Sequence, residues 1–101
     1  MTQVRVWSYD AGAYVERTPI GRVRYNGRTF GPAGLTAGAI YYVLSVEEGM
    51  LRVVDDEEMG YLYDMADPGP FDDPSPTGKW ELIEDYTGVL SRVLQQVARE
   101  N

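Results

Sequence analysis

The sequence predicts a mainly β protein: a small, bent barrel of short strands, with an N-terminal hairpin before it and one α-helix after it. Short runs rich in β-branched and aromatic residues fill residues 1–84, and such runs are typical of strands. Turn-forming residues separate the runs at intervals of about 8–12 residues, which is the spacing of small barrels and sandwiches. Only the last segment of the chain has the period of a helix.

The N-terminal extension, residues 1–19, is expected to form a β-hairpin. Its two strand-like runs cover residues 3–9 and 13–16. The sequence Asp-Ala-Gly at 10–12 supplies the turn between them, because glycine and aspartate favour turns.

The barrel is predicted to occupy residues 20–84. Its strands are expected in five runs: 21–30, 39–46, 50–54, 60–65 and 79–84. Asn26-Gly27 lies inside the first run, and both residues accept the positive φ of a type I′ hairpin turn. We therefore expect one hairpin to turn at Asn26-Gly27 and another at Glu47-Glu48-Gly49.

A proline-rich loop, residues 66–78, interrupts the predicted barrel before its last strand. It reads ADPGPFDDPSPTG and contains four prolines. Proline lacks a backbone N–H and fixes φ, so this segment forms neither a helix nor a central strand. We expect Phe71 in this loop either to pack onto the core or to be exposed as a contact residue.

The C-terminal segment is predicted to be an amphipathic helix over residues 86–99. Its aliphatic residues recur on one stripe: Val89, Leu90, Val93, Leu94 and Val97. Asp85 or Thr87 can cap the first turn. We expect the stripe to pack against an open side of the barrel, and the alternative is that it forms a homodimer interface.

The composition limits the class of protein and its chemistry. A chain of 101 residues with 44% hydrophobic and 25% charged residues is typical of one soluble domain. No run is apolar enough for a membrane helix, and the N-terminus lacks the features of a signal peptide, so we expect a cytoplasmic protein. Histidine and cysteine are both missing, which excludes a Ser-His-Asp triad, a Cys/His zinc site and thiolate chemistry. We therefore expect no enzymatic activity and no cofactor.

The acidic run in RVVDDEEMGYLYD, residues 52–64, raises the question of a metal site. A calcium loop that began at Asp55 would need oxygen ligands at its fifth and twelfth positions, where the chain has Met59 and Ala66. The run also lies between two predicted strands instead of two helices. We therefore predict a solvated turn that connects the strands, and no metal site. The aspartates in and beside the proline-rich loop are interpreted in the same way.

Part of the chain resembles a known group of proteins. Three motifs carry the resemblance: Leu-Thr-x-Gly-x-x-Tyr-x-Val-Leu at 35–44, Arg-x-Val-Asp-Asp at 52–56 and Tyr-Leu-Tyr at 61–63. Because of these three motifs, the segment 23–65 resembles a group of small, largely uncharacterised bacterial and phage-associated proteins with an SH3-like barrel. The resemblance implies an SH3-like barrel for residues 20–84 and no catalytic residues.

Charge is divided unevenly along the chain. Residues 1–31 hold five arginines and two acids, a balance of +3, whereas residues 32–101 hold four basic residues and fourteen acids, a balance of −10. We expect the two halves to interleave and partly neutralise each other. Arg22, Arg24 and Arg28 alternate along one predicted strand, as in a weak nucleic-acid patch, but the net charge of −7 opposes that function.

Aromatic residues are concentrated in the predicted barrel strands. Alternation places Tyr41 and Tyr42 on opposite faces, and Tyr61 and Tyr63 on the same face. Exposed rings of this kind grip proline-rich peptides in SH3-type domains, and the alternative is that the rings fill the core. The candidate binding residues are Tyr41, Tyr42, Tyr61, Tyr63, Phe71 and Trp80.

The leading hypothesis for function is a non-catalytic protein- or peptide-binding module that uses an aromatic and acidic surface. One alternative is an acidic inhibitor or immunity-type protein that imitates nucleic acid, based on the −10 balance of residues 32–101. The other is a weak nucleic-acid binder, based on the alternating arginines.

Overall fold

A curved antiparallel sheet forms the body of the molecule, and a separate hairpin and a C-terminal helix lie beside it. The computed structural model describes residues 3–29, 34–68 and 78–100. Its elements in these ranges are β1 (Val4–Ser8), β2 (Ala13–Arg17), β3 (Gly21–Gly27), β4 (Ile40–Glu47), β5 (Met50–Val54), β6 (Gly60–Asp64), β7 (Gly78–Asp85) and α1 (Val89–Glu100). The mainly β class, the N-terminal hairpin and the terminal helix are confirmed. Phe71 and most of the proline-rich loop, residues 69–77, lie outside the described residues.

The five-stranded sheet has the strand order β6-β5-β4-β3-β7. Strands β3 to β6 form a meander, and β7 returns along the free edge of β3, with every pair antiparallel. The two edge strands approach each other at Trp80, whose Nε1 donates a hydrogen bond to the Asp64 carbonyl oxygen at 3.1 Å. Within the described ranges no backbone pairing joins β6 to β7, so the expected closed barrel is not detected.

The turn predicted at Asn26-Gly27 is wrong, because β3 continues through both residues. Asn26 pairs with Lys79 and Gly27 pairs with Gly78 of β7, and neither has a positive φ. The positive φ angles of a two-residue hairpin turn are found at Glu48-Gly49, at 49° and 82°, where β4 joins β5 as expected. Pairing with the full length of β7 therefore outweighs the local turn preference of Asn-Gly.

One hydrophobic core lies between the sheet and the helix. Its buried members are Val23, Tyr25, Leu35, Tyr41, Val43, Leu51, Val53, Met65 and Leu90. The other stripe residues of the helix that pack against this core are Val93, Leu94 and Val97. Burying a large aliphatic or aromatic side chain contributes about 1.5–3 kcal/mol. The predicted packing of the helix against the strands is confirmed, and its use as a homodimer interface stays a hypothesis.

The helix begins at Val89, slightly later than predicted, because Asp85 organises the turn before it. The Asp85 Oδ1 accepts a hydrogen bond from the Gly88 N–H at 2.9 Å, and its Oδ2 accepts one from the Ser91 N–H at 2.9 Å. Gly88 has φ 86°, a conformation that glycine adopts without strain. The predicted cap at Asp85 is confirmed. In the part of the chain that the structure describes, no helix is long and apolar enough to cross a membrane.

We predict that Gly21→Ala strongly destabilises the fold. A Cβ atom at position 21 would overlap the Glu84 carbonyl oxygen and would lie 2.5 Å from Cδ1 of Leu90, so β3 would have to move away from β7 and the helix. Overpacking costs about 1–3 kcal/mol, and we expect the upper end because one obstacle is backbone. The free energy of unfolding in urea measures the effect.

Gly60→Ala is the matched control for this substitution. Its Cβ would meet the flexible end of the Leu44 side chain at 3.2 Å, which can rotate away. We expect a clearly smaller loss of stability than for Gly21→Ala. Equal losses in the two variants would contradict the steric explanation.

Candidate functional site

The acidic run folds into a compact turn, residues 55–59, which we call the acidic turn. Its backbone is closed by two hydrogen bonds, from the Asp55 N–H to the Met59 carbonyl oxygen at 3.1 Å and from the Glu58 N–H to the Asp55 carbonyl oxygen at 2.9 Å. The Asp55 residue is only 5% exposed, so the expectation that every acidic side chain of this turn is solvated is wrong. The remaining acids of the turn are exposed.

Buried hydrogen bonds explain why Asp55 lies inside. Its Oδ2 accepts a hydrogen bond from the Tyr63 hydroxyl at 2.7 Å, and its Oδ1 accepts one from the Glu57 N–H at 3.0 Å. Burial raises the pKa of Asp55, and these hydrogen bonds oppose the increase. Burial and the neighbouring carboxylate also raise the pKa of the Tyr63 hydroxyl. The pair therefore acts as an internal anchor for the turn.

A second anchor holds the next residue of the turn. Asp56 accepts hydrogen bonds from the Tyr41 hydroxyl and from Thr36 Oγ1, both at 2.8 Å. The Thr36 N–H donates to the Tyr41 hydroxyl oxygen at 2.7 Å, which completes the network. Among the described residues, no three carboxylates are grouped in a way that could hold a metal ion. The acidic turn thus has a structural role in this geometry.

The N-terminal hairpin attaches to the acidic turn. The Trp7 N–H donates a hydrogen bond to the Glu58 carbonyl oxygen at 2.9 Å, and Trp7 pairs with Met59 in a parallel bridge. The Tyr9 hydroxyl lies 4.0 Å from the sulfur of Met59, a residue that is itself buried. The turn therefore positions β1 relative to the five-stranded sheet.

Aromatic side chains are grouped around this attachment point, and we call Trp7, Tyr9, Tyr14 and Tyr61 the aromatic surface. The exposed fraction is 76% for Tyr9, 41% for Tyr14 and 42% for Tyr61, and Trp7 is half-buried. The rings of Trp7 and Tyr14 meet edge to face, with centroids 5.1 Å apart and an interplanar angle of 75°. Partial burial and the neighbouring Tyr9 raise the pKa of Tyr61, which agrees with their proximity.

Charged residues border the aromatic surface. The guanidinium carbon of Arg5 lies 4.0 Å from the centroid of the Tyr14 ring, in a cation–π contact. Four exposed acids lie within four residues of these rings in sequence: Asp10, Glu16, Glu57 and Glu58. In the described structure none of these acids forms an ion pair. A partner that binds here would meet aromatic rings beside unpaired carboxylates.

The residues predicted as binding residues have different surroundings. Tyr41 is 6% exposed and belongs to the core, and Tyr63 and Trp80 pack against that core. Tyr42 is half-buried, with the Arg22 guanidinium 5.7 Å from its ring centroid. Tyr61 alone among these described candidates is exposed and lies in the aromatic surface.

Sequence reasoning missed Trp7, Tyr9 and Tyr14, although it predicted the hairpin that carries them. The observed register places Trp7 directly opposite Tyr14 and Arg5 opposite Glu16. The sequence alone could have indicated this register, because the Asp-Ala-Gly turn and the alternation of the two strand-like runs restrict which residues face each other. Side chains opposite each other on one face interact directly.

An ion pair supports the start of β6 beside the acidic turn. Arg52 donates to both carboxylate oxygens of Glu47, at 2.6 and 3.1 Å, and also to the Gly60 carbonyl oxygen at 2.6 Å. Ser45 Oγ donates to the same carboxylate at 2.7 Å. The hydrogen bonds from Arg52 and then from Ser45 lower the pKa of Glu47 to about 2.

The alternating arginines of β3 are neutralised by β7. Arg22 forms an ion pair with Glu84, and Arg24 forms one with Glu81 at 3.4 Å. These pairs join the basic and acidic halves of the chain, as expected. The stripe therefore presents less free positive charge than the sequence suggested.

A groove of about 410 Å³ opens between the helix and the end of β6. Its lining residues include Val46, Gly49, Asp64, Met65, Val93 and Val97. The carboxylate of Asp64 accepts hydrogen bonds from the Ala66 and Asp67 N–H groups, at 2.7 and 3.1 Å. That carboxylate is therefore occupied in holding the chain after β6.

Comparison of the chain with family models, with curated proteins and with solved structures found no match in any of the three.

We predict that Tyr63→Phe lowers the free energy of unfolding by about 1.5–3 kcal/mol, the contribution of a hydrogen bond to a charged group. The loss arises because the buried Asp55 carboxylate would lose its hydroxyl donor. Tyr61→Phe is the matched control two residues away. It removes the hydroxyl of a residue that is 42% exposed, and surface changes usually stay within about 0.5 kcal/mol. Urea unfolding of both variants tests this, and equal effects would contradict the role of Asp55.

We also predict that Glu47 contributes stability that depends on pH. Its pKa is lowered from 4.5 to about 2 in the folded state, so its contribution is fully present above pH 4.5 and is lost as the pH falls towards 2. Glu47→Gln should therefore be less stable than the native chain at pH 7, and the difference should disappear near pH 2. Unfolding transitions measured between pH 7 and pH 2 test this. A difference that stays constant over this range would contradict it.

Proposed function

We propose that the protein is a non-catalytic protein- or peptide-binding module and that the aromatic surface is its binding site. The observation that carries the proposal is the set of exposed rings held at one place by the acidic turn. Tryptophan, tyrosine and arginine are the residue types that most often dominate binding energy at interfaces. Rings fixed before binding also reduce the entropy that a complex has to lose.

The border of the surface indicates the chemistry of the partner. The carboxylates of Asp10, Glu16, Glu57 and Glu58 are exposed and unpaired among the described residues, and the whole chain has a net charge of −7. The negative electrostatic potential that these charges create attracts basic partners and speeds their association. We therefore infer a basic segment with apolar side chains that cover the rings.

We further propose that the curved sheet is an SH3-like barrel of the kind that the sequence motifs imply. The strand order supports this, because a four-stranded meander whose first strand pairs with a fifth strand is the arrangement of such barrels. In this proposal the hairpin is an addition to the barrel. The aromatic surface lies mainly on that addition, with Tyr61 contributed by the barrel.

The two alternative functions have less support. Both Arg22 and Arg24 are paired with glutamates of β7, which weakens the case for a nucleic-acid patch. An imitation of nucleic acid requires free carboxylates, but several acids are engaged in hydrogen bonds or ion pairs inside the chain. These are Glu47, Asp55, Asp56, Glu84 and Asp85.

We predict that the double variant Tyr9→Ala/Tyr14→Ala loses partner binding without losing its fold. Both rings are exposed and lie outside the main core, so the five-stranded sheet does not depend on them, whereas a ring at the centre of an interface contributes about 2 kcal/mol or more to binding. The measurement is quantitative capture of proteins from the native host by immobilised chain, compared between the native and variant forms.

Tyr86→Ala is the matched control, because Tyr86 is 44% exposed and lies before the helix, outside the aromatic surface. We expect the control to capture the same proteins as the native chain. Partners captured equally by the double variant would place the binding site elsewhere and overturn the proposal. The absence of any protein captured above background would overturn it as well.

A further inference from the structure

The hairpin has an exposed strand edge. β2 pairs with β1 on one side, and in the described part of the chain no strand pairs with its other side. Four of its five residues are exposed. Unpaired strand edges expose backbone donors and acceptors that can pair with another strand.

The backbone groups on this edge can be assigned to individual residues. The Trp7 N–H donates to Glu58, away from β2, and Trp7 is the partner of Tyr14 in the register. Backbone groups alternate in direction along an antiparallel pair. The N–H and C=O groups of Tyr14 and Glu16 therefore point outward, whereas those of Ala13, Val15 and Arg17 pair with β1.

Three of the usual protections against pairing are missing from this edge. β2 contains no proline, no lysine and no bulge, which are common devices that keep edges apart. Its charged residues have opposite signs, Glu16 and Arg17. Such an edge is complementary to itself when a second copy approaches in the antiparallel direction.

We propose that two copies of the chain associate through antiparallel pairing of their β2 strands, centred on Val15. This register places Tyr14 opposite Glu16 of the second copy, and the outward N–H and C=O groups of these residues then form four hydrogen bonds across the interface. A twofold axis relates the two copies, so the interface is closed and association stops at the dimer.

Charge complementarity at this register selects a second copy as the occupant. Arg5 lies over the Tyr14 ring instead of pairing with its own cross-strand neighbour Glu16. Neither Arg5 nor Glu16 forms an ion pair in the described structure. Because Glu16 of the second copy lies opposite Tyr14, its carboxylate comes within reach of Arg5. The twofold axis generates the same ion pair a second time.

The experiment uses the full chain as its own probe. Sedimentation velocity over concentrations on the order of 10 µM to 1 mM covers the range in which small interfaces dissociate. We expect the mean mass to rise towards that of a dimer.

Amide hydrogen exchange gives a more specific result. The Tyr14 and Glu16 amides should gain protection with concentration, while the Ala13, Val15 and Arg17 amides are protected at every concentration.

Glu16→Pro tests the edge directly. Proline removes an N–H that points outward and is tolerated at such edge positions, so the hairpin should keep its pairing while association is lost. Glu48→Gln is the matched control, because it also removes one negative charge but lies in the turn between β4 and β5, away from the hairpin. We expect it to associate like the native chain.

Three results would overturn the proposal. They are a native chain that stays monomeric over the whole range, association of Glu16→Pro equal to that of the native chain, and concentration-dependent protection outside residues 13–17. If Glu16→Pro fails to fold, the alternating protection of the native amides still decides the question. A pattern without alternation would then count against the proposal.

Discussion

The buried carboxylate of Asp55 is the constraint on which the arrangement of the molecule depends. A carboxylate removed from water loses its hydration, so its burial is costly unless hydrogen bonds replace the lost water. The Tyr63 hydroxyl and the Glu57 N–H supply those bonds. They fix the acidic turn in one conformation and join it to β6, whose side chains reach the core.

The hairpin depends on this turn for its position. Of its residues from 3 to 18, only Val6 is buried, so it has little core of its own. An isolated two-stranded hairpin is at most marginally stable in water. The hydrogen bond from Trp7 to Glu58 and the bridge to Met59 connect it to the sheet. The position of the aromatic surface is thus set by a turn about fifty residues away in sequence.

The local pattern of the sequence predicted most strands, the terminal helix and its Asp85 cap, because these depend on alternation, helical period and local hydrogen bonds. It failed where long-range pairing decides. Asn26-Gly27 favours a turn locally, but β7 pairs with both residues. Alternation also separates Tyr41 from Tyr42 correctly, yet it does not tell which face is buried. Irregularities in the registers of β3 with β7 and of β4 with β5 shift the alternation further.

The same limit applies to the candidate site. The sequence indicated that rings and acids would form the surface, and it named Tyr61, but it assigned the other positions to the barrel strands. The burial of Asp55 was not predictable from its neighbours, since three other acids adjoin it in sequence. Its partner Tyr63 lies opposite Leu51 in the register of β5 and β6, so even a correct strand pairing does not identify the hydrogen bond to Asp55. Hydrogen bonds between residues on different strands are properties of the fold and not of a short motif.

The stability of the fold and the position of the aromatic surface are therefore coupled at one point of this molecule. None of the four rings of the aromatic surface belongs to the main core, and the positions of Trp7, Tyr9 and Tyr14 follow from the backbone of the hairpin. That backbone is held by Glu58 and Met59, which are held in turn by the buried Asp55. A change that loosens the Asp55 anchor would release the hairpin before the five-stranded sheet, because the hairpin contributes almost nothing to the main core. The acidic turn therefore connects the folded body to the hairpin that carries most of the aromatic surface.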